Sequence, residues 1–352
     1  GVHPFGFDTY EHRELFAIGM STGAPPDGFF AKGQNWGFPP LKPQAVREQG
    51  YEYVIATLRQ LLKACGILRI DHVMGLYRRF WVPDGRTAMD GVYVRYAADE
   101  WFAIVCLESH RYGTAVIGED LGTVPPVVRE RMERHRLHRM YVQLFEMRPD
   151  PQRPLMPTGD NVVASVDTHD TPTFAGAYAG RDLQQFVQMG VLQPHEAEGH
   201  LAERRRSWEA RADSRQHGRP ELGYVPTEAP REPANPGTQV AAANGEHGDV
   251  LEPLLLGSLH LLAESEAPVV LATLEDLWLE LEPQNVPATS TERPNWRRKL
   301  AASLDHLDDA AAWPLVQRAT DLLARLRTPA AAAPAAEAPA AVRSAGHEIV
   351  AA

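Results

Sequence analysis

Ile67-Leu68-Arg69-Ile70-Asp71-His72 is a short apolar run that ends in charge. Its length and bounds fit a buried strand. On its N-terminal side, residues 50–64 place apolar side chains at helical spacing through Tyr53-Val54-Ile55 and Leu58-Arg59-Gln60-Leu61-Leu62. On its C-terminal side a second helix fits 97–113, and a second apolar run follows at 115–118. Pro125 and Pro126 open a third helix that runs to His135, proline being well placed at a helix start. Further strands are expected over 140–145, 161–166 and 267–273, and further helices over 183–218, 251–264 and 300–327. Short buried strands alternating with helices predict an α/β protein with a parallel sheet. Five strands end near Asp71, Glu119, Phe145, Asp167 and Thr273. A (β/α)8 TIM barrel needs eight strands in about 250 residues. The pattern therefore fits a partial barrel lacking its first three strands, or an open doubly wound sheet.

Composition narrows the partners. The 352 residues carry a net charge of −11, and the pI is about 5.7. An acidic surface repels phosphate backbones, so nucleic acid is not an expected partner. Cys65 and Cys106 are two isolated thiols, with neither a disulfide framework nor metal-ligand spacing. This favours a reducing, cytoplasmic location. No apolar run reaches the roughly 18 residues that span a bilayer, and no secretory signal opens the chain, which starts at Gly1 rather than Met. Residues 1–43 read as long loops with one short helix. Residues 219–248 are rich in Pro, Gly, Asn and Ala and read as an exposed loop or as partly disordered. The Ala- and Pro-dominated stretch 328–352 reads as a disordered tail.

Charged residues collect at the expected strand ends, the edge where α/β proteins carry their chemistry. Arg69 and Asp71 are two apart and so share one face of a strand. An arginine beside a carboxylate favours the ionised form that a nucleophile requires. The second strand offers Glu119 and Asp120, and the fourth offers Asp167, His169 and Asp170. Three carboxylates from three strand ends suit glycoside chemistry. One attacks the anomeric carbon, a second with a raised pKa protonates the leaving oxygen, and a third grips sugar hydroxyls. Direction separates these from their neighbours. Asp120 adjoins Glu119 and should point the other way, into a structural role, and Asp167 is structural by the same argument from Asp170. The scattered histidines show no pairing that would hold a metal.

At these residues the chain resembles the amylomaltase-type 4-α-glucanotransferases, relatives of the α-amylase clan. The matching segments are Gly-Ala-Pro-Pro-Asp (23–27), Gly-Gln-Asn-Trp-Gly (33–37), Leu-Arg-Ile-Asp-His-Val-Met-Gly-Leu (68–76) and Val-Ile-Gly-Glu-Asp-Leu-Gly (116–122). They continue with Thr-His-Asp (168–170), Leu-Glu-Asp-Leu-Trp (274–278), Glu-Pro-Gln-Asn-Val-Pro (282–287) and Glu-Arg-Pro-Asn-Trp-Arg-Arg-Lys-Leu (292–300). The resemblance implies that Asp71 is the nucleophile, Glu119 the general acid/base and Asp170 the stabilising carboxylate. Arg69 and His169 match residues that hold the nucleophile and the sugar. Asp8, Gln34, Trp36 and Asn285 match substrate-contacting positions. The strands ending at Asp71, Glu119 and Asp170 would be the fourth, fifth and seventh of a barrel, so that strands 4 to 8 are visible. Residues 1–327 would then be the C-terminal portion of a catalytic barrel, with a charged insertion at about 203–248. The resemblance also places Phe29 in a mobile lid, and Ala288 where the family usually has Gly.

Each motif has a plainer reading. Trp36 could plug the core, and Tyr77, Phe80 and Trp81 are expected to pack rather than to form sugar platforms. His72 is expected to be satisfied by backbone groups. The basic stretch 293–300 is read as a helix lead-in with salt bridges rather than an anion site. The expected activity is transfer of α-1,4-glucan segments between maltooligosaccharides by double displacement, with no cofactor. The alternatives are a hydrolase of the same clan, in which water completes the second step, and an inactive glucan-binding fragment. Product ladders from maltotriose separate the first two, and a broad, non-cooperative melt marks the third.

Overall fold

The computed structural model describes residues 1–27, 32–216, 248–287, 289, 293–300, 303, 305 and 313–327. Phe29, Ala288, the stretch 219–247 and the tail after 327 lie outside them. The helices in chain order are α1 (Phe7–Glu11), α2 (Pro43–Glu48), α3 (Glu52–Leu62), α4 (Ala98–Tyr112), α5 (Pro126–Arg134), α6 (Gln143–Glu146), α7 (Phe174–Ala179), α8 (Arg181–Gln188), α9 (Pro194–Gln216), α10 (Gly248–Ala263), α11 (Leu274–Leu277) and α12 (Trp313–Arg327). The strands are β1 (Met20–Ala24), β2 (Gln34–Asn35), β3 (Ile67–Ile70), β4 (Arg78–Pro83), β5 (Val92–Arg95), β6 (Ala115–Gly118), β7 (Arg139–Val142), β8 (Val162–Ser165) and β9 (Val269–Leu271).

The five expected strands are β3, β6, β7, β8 and β9, and they are neighbours in chain order. β3 pairs with β6 in parallel, and β7–β8–β9 form a second parallel set. A single parallel bridge, Ile117 to His138, links the two sets. Among the described residues the strand succession shows no reversal of the kind that marks a doubly wound sheet. Among the described residues β9 does not pair with β3, so the strands form an arc rather than a closed barrel.

Local chemistry fixes the first crossover. α4 ends at Gly113, whose φ of 62° sets the left-handed cap that glycine tolerates. Thr114 follows, and its hydroxyl donates to the carbonyls of Leu62 and Cys65 at 3.2 and 3.0 Å. That pins the end of α3 to the start of β6 and sets the β3–β6 register, Ile70 opposite Gly118. Beneath lies a core of Val54, Val73, Trp101, Phe102, Val105, Val116, Val128 and Met132. Full burial of such a side chain contributes about 1.5–3 kcal/mol. A second core joins β7 and β8 to α7, α9, α10 and α12 through Tyr141, Ala164, Phe174, Trp208, Leu255, Leu259 and Leu315. Trp208, at the start of the stretch expected as an insertion, is one of its buried members.

Several expectations need correction. Residues 1–43 are not loops with one helix: β1 and β2 join β4 and β5 in an antiparallel sheet of order β2-β1-β4-β5. β1 reads Met-Ser-Thr-Gly-Ala and buries Ser21 and Thr22, so it lacks the apolar alternation that signals a strand. The strand expected to reach Phe145 ends at Val142 and turns into α6. The helix expected over 183–218 is broken between α8 and α9 at Gly190, φ 70°. Leu300 is not helical, and the last described helix starts at Trp313 with Pro314 in its first turn.

Gly118 closes β6 against the core. A Cβ there would lie 2.7 Å from both Met132 Cε and Val73 Cγ2. Gly118→Ala is expected to lower stability by about 1–3 kcal/mol, read as a lower urea midpoint at unchanged slope. An unchanged midpoint would mean that Met132 and Val73 yield freely.

Candidate active site

The ends of β3 and β6 are stitched together by main chain. Glu119 N donates to Ile70 O at 2.9 Å, and Val73 N donates to Glu119 O at 3.0 Å. These bonds set Asp71 and Glu119 side by side, just beyond the last strand rung. Arg69 Nη2 lies 2.8 Å from Asp71 Oδ1, and the Asp71 side chain is 73% exposed. The adjacent carboxyl lives in another environment. Glu119 Oε1 accepts the Leu121 amide at 2.7 Å, and Oε2 accepts the His72 amide at 2.9 Å. Those amides and Arg69 favour its charged form, but burial pushes the Glu119 carboxyl above the usual range, and the negative charge of Asp71 pushes the same way.

His72 makes the turn that brings its amide round. Its φ of 49° is left-handed, and a short 3-10 turn over Val73–Leu76 follows. Its Nε2 is not satisfied by a backbone group as expected: among the described residues it is buried without a hydrogen-bond partner. Burial, helped by the Arg79 charge, pulls its pKa down to about 4, so the ring is neutral near pH 7. The ring meets Trp36 edge-on at 5.0 Å. Trp36 Nε1 donates to Gln34 Oε1 at 3.1 Å, and Trp36 N donates to Thr22 O at 2.9 Å. The antiparallel sheet thus delivers Gln34 and Trp36 to the Asp71–Glu119 edge. Phe80 packs in a small core of that sheet, and Tyr77 and Trp81 lie against the larger one.

A second group forms past β8. Asn285 Nδ2 donates to Asp170 Oδ1 at 2.7 Å, and His169 Nε2 lies 3.1 Å from Asp170 Oδ2. Trp296 tilts against His169 at 5.8 Å. The stretch around Trp296 carries salt bridges, Arg298 to Glu280 at 2.9 Å and Arg293 to Glu282 at 3.8 Å, and residues 297–300 are not themselves helical. Asp8 sits apart, in the first turn of α1, where its charge bears on Tyr53. Among the described residues no hydrogen bond or ion pair joins Asp8 to Asp71, Glu119 or Asp170.

A family profile described as 4-alpha-glucanotransferase matches residues 1–305. The chain belongs to the 4-alpha-glucanotransferase family. A 4-alpha-glucanotransferase of Haemophilus influenzae is 34% identical over 298 residues, covering 84% of this chain and 40% of that protein. One from Mycobacterium bovis is 35% identical over 304 residues, covering 84% and 38%. The chain therefore spans about two fifths of the length of these relatives. The crystal structure of amylomaltase from Corynebacterium glutamicum superposes with a TM-score of 0.72 at 28% identity, covering 91% of this chain and 45% of that one. An amylomaltase from Streptococcus agalactiae, solved in complex with acarbose, gives a TM-score of 0.64 at 18% identity, covering 93% and 55%, and supports the fold alone. The amylomaltase likeness implies a fold of the glycoside-hydrolase (β/α)8 type.

Asp120 shows what the residue beside Glu119 does. It is 2% exposed, accepts from Arg139 Nε at 2.7 Å and Arg129 Nε at 3.1 Å, and takes the Met140 amide at 3.1 Å. The residues that sequence reasoning missed are the amide donors His72 and Leu121, together with Trp296. A main-chain donor leaves no trace in residue identity. Trp296 stood inside a recognised motif, but its basic neighbours drew the reading toward charge. No helix among the described residues is long and apolar enough to cross a membrane. Asp120→Asn keeps the shape but removes the charge between two arginines. It is expected to cost about 2–3 kcal/mol in chemical denaturation. A loss below about 0.5 kcal/mol would show the pairs to be no stronger than exposed ones.

Proposed function

We propose that this chain is the carboxylate-bearing segment of a 4-α-glucanotransferase, in which β3, β6, β7, β8 and β9 stand as strands four to eight of the barrel. Its substrates are maltooligosaccharides and α-1,4-glucans, its setting is the cytoplasm, and it uses no cofactor. One observation carries the reading: an exposed, arginine-paired Asp71 beside a Glu119 whose carboxyl is pushed up by burial. That pairing of unlike carboxyls is what a retaining double displacement needs.

In the first step Asp71 attacks the anomeric carbon while Glu119 gives its proton to the departing glycosidic oxygen. The C–O bond breaks as the Asp71 ester forms. In the second step the 4-hydroxyl of an acceptor glucan loses its proton to Glu119 and attacks the same carbon, which releases Asp71. Asp170 grips sugar hydroxyls, held by Asn285 and His169. Gln34 and Trp36 offer an amide and an indole face to the sugar at the other side. Asp8 is the substrate contact with the least local support, since it stands in α1 beside Tyr53.

Thin-layer chromatography of maltotriose incubated with the protein tests the reading. A ladder of longer glucans plus glucose is expected, and Asp71→Asn should abolish it. Glucose and maltose alone would indicate hydrolysis, and wild-type turnover by Asp71→Asn would remove Asp71 from the nucleophile's role. The pH profile tests Glu119 separately. The acid must hold its proton in the first step, so activity falls as pH rises through its pKa. The upward push therefore places the alkaline limb of kcat/KM above the range of an ordinary glutamate. Glu119→Gln should lower maltotriose turnover by about 10²–10⁴-fold yet still release fluoride from a maltosyl fluoride, whose leaving group needs no proton.

A further inference from the structure

The loop 168–173 carries His169 and Asp170 between β8 and α7, and both of its ends are tied to one buried side chain. Asp276, on α11, is 2% exposed and accepts the Phe174 amide at 2.8 Å, at the far end of the loop. At the near end its carboxyl is hydrogen-bonded to that of Asp167, itself 4% exposed. Thr273, the residue before α11, donates to Asp167 Oδ1 at 3.4 Å. The same segment continues the grip. The Glu280 carbonyl accepts the Thr173 hydroxyl, and Asn285 donates to Asp170 itself. Among the described residues no lysine, arginine or histidine pairs with Asp167 or Asp276. Two buried carboxyls in contact, without a cation, cannot both ionise cheaply.

We propose that Asp167 is a positioning residue: holding one proton between itself and Asp276, it closes a clasp that fixes the His169–Asp170 loop against the segment carrying Asn285. The proton sits on Asp167, because Asp276 already accepts the Phe174 amide and so is the better acceptor. Burial pushes both carboxyls up, Asp167 well above the usual range. Glu275, the other charged group that bears on the pair, pushes the same way. The folded chain therefore keeps a proton that the unfolded chain releases at an ordinary aspartate pKa of about 4. The clasp's contribution is full below that value and is lost as pH rises through the folded pKa. Above it the two carboxylates repel and the loop is released. The catalytic consequence rests on the proposed role of Asp170, whereas the clasp itself does not.

The test compares the full chain with Asp167→Asn, which keeps a donor toward Asp276 but cannot ionise. Between about pH 4 and pH 10 the wild-type Tm, relative to the variant, should fall by about 2 °C per pH unit until the folded pKa is passed. The side-chain amide signal of Asn285 should step at the same midpoint in wild type and not in the variant. The ratio of wild-type to variant kcat/KM for maltotriose should fall about tenfold across it, a ratio in which the Glu119 limb cancels. Absence of the Asn285 step in wild type, or its persistence in Asp167→Asn, overturns the clasp. If Asp167→Asn does not fold, Asp276→Asn serves in its place, because it also removes the carboxyl pair and must abolish the step. A step without any turnover supports the clasp and counts against the glucanotransferase reading instead.

Discussion

Two main-chain hydrogen bonds govern the rest of the site: Glu119 N to Ile70 O, and Val73 N to Glu119 O. They continue the β3–β6 ladder one step past its last rung, so the two carboxyls emerge side by side whatever their side chains do. The second bond requires the chain to double back immediately after Asp71. His72 makes that turn in a left-handed conformation that costs a non-glycine residue about 1–2 kcal/mol. The turn aims the His72 amide at Glu119, where a hydrogen bond to a charged acceptor returns about as much. Local strain and local hydrogen bonding are thus two sides of one device that places the Glu119 carboxyl.

The three carboxyls at this edge differ less in chemistry than in surroundings. Asp71 is open to solvent and paired with Arg69. Glu119 is desolvated, with one amide on each oxygen, and each oxygen keeps a further lone pair for a proton. Burial outweighs the amides and lifts the Glu119 carboxyl above the usual glutamate range. Asp170 is exposed like Asp71, but its company is Asn285 and His169, which hold it in place. Asp167, three residues earlier, carries the same side chain buried beside Asp276. One residue type therefore fills three roles, and exposure and partners decide which.

Much of this was legible in the sequence, for identifiable reasons. The parallel strands are short apolar runs ending in charge, a pattern that the order of residues exposes near Asp71, Glu119 and Asp167. The opposite directions of Glu119 and Asp120 followed from strand geometry. Other features were hidden. β1 has small polar residues that are buried, and it pairs with β4, about 60 residues later, a pairing that nothing local announces. The partnership of Asp167 with Asp276 spans more than 100 residues, and no motif links the two. Amide donors such as Leu121 are invisible by nature, since any residue but proline could supply them.

Asp120 ties together two separately packed halves of the chain. β3 and β6 rest on one hydrophobic core, and β7 to β9 rest on another. The strands that meet between them, β6 and β7, are joined by a single bridge rather than a ladder. So short a seam would let the Asp170 loop drift relative to Glu119. Asp120 reinforces it, because its carboxylate reaches across to the Arg139 side chain and the Met140 amide, both on β7. Alternation along the chain makes this possible: Glu119 faces the Asp71 side, and its neighbour faces the seam. The residue pair thus fixes both the Glu119 carboxyl and the joint between β6 and β7.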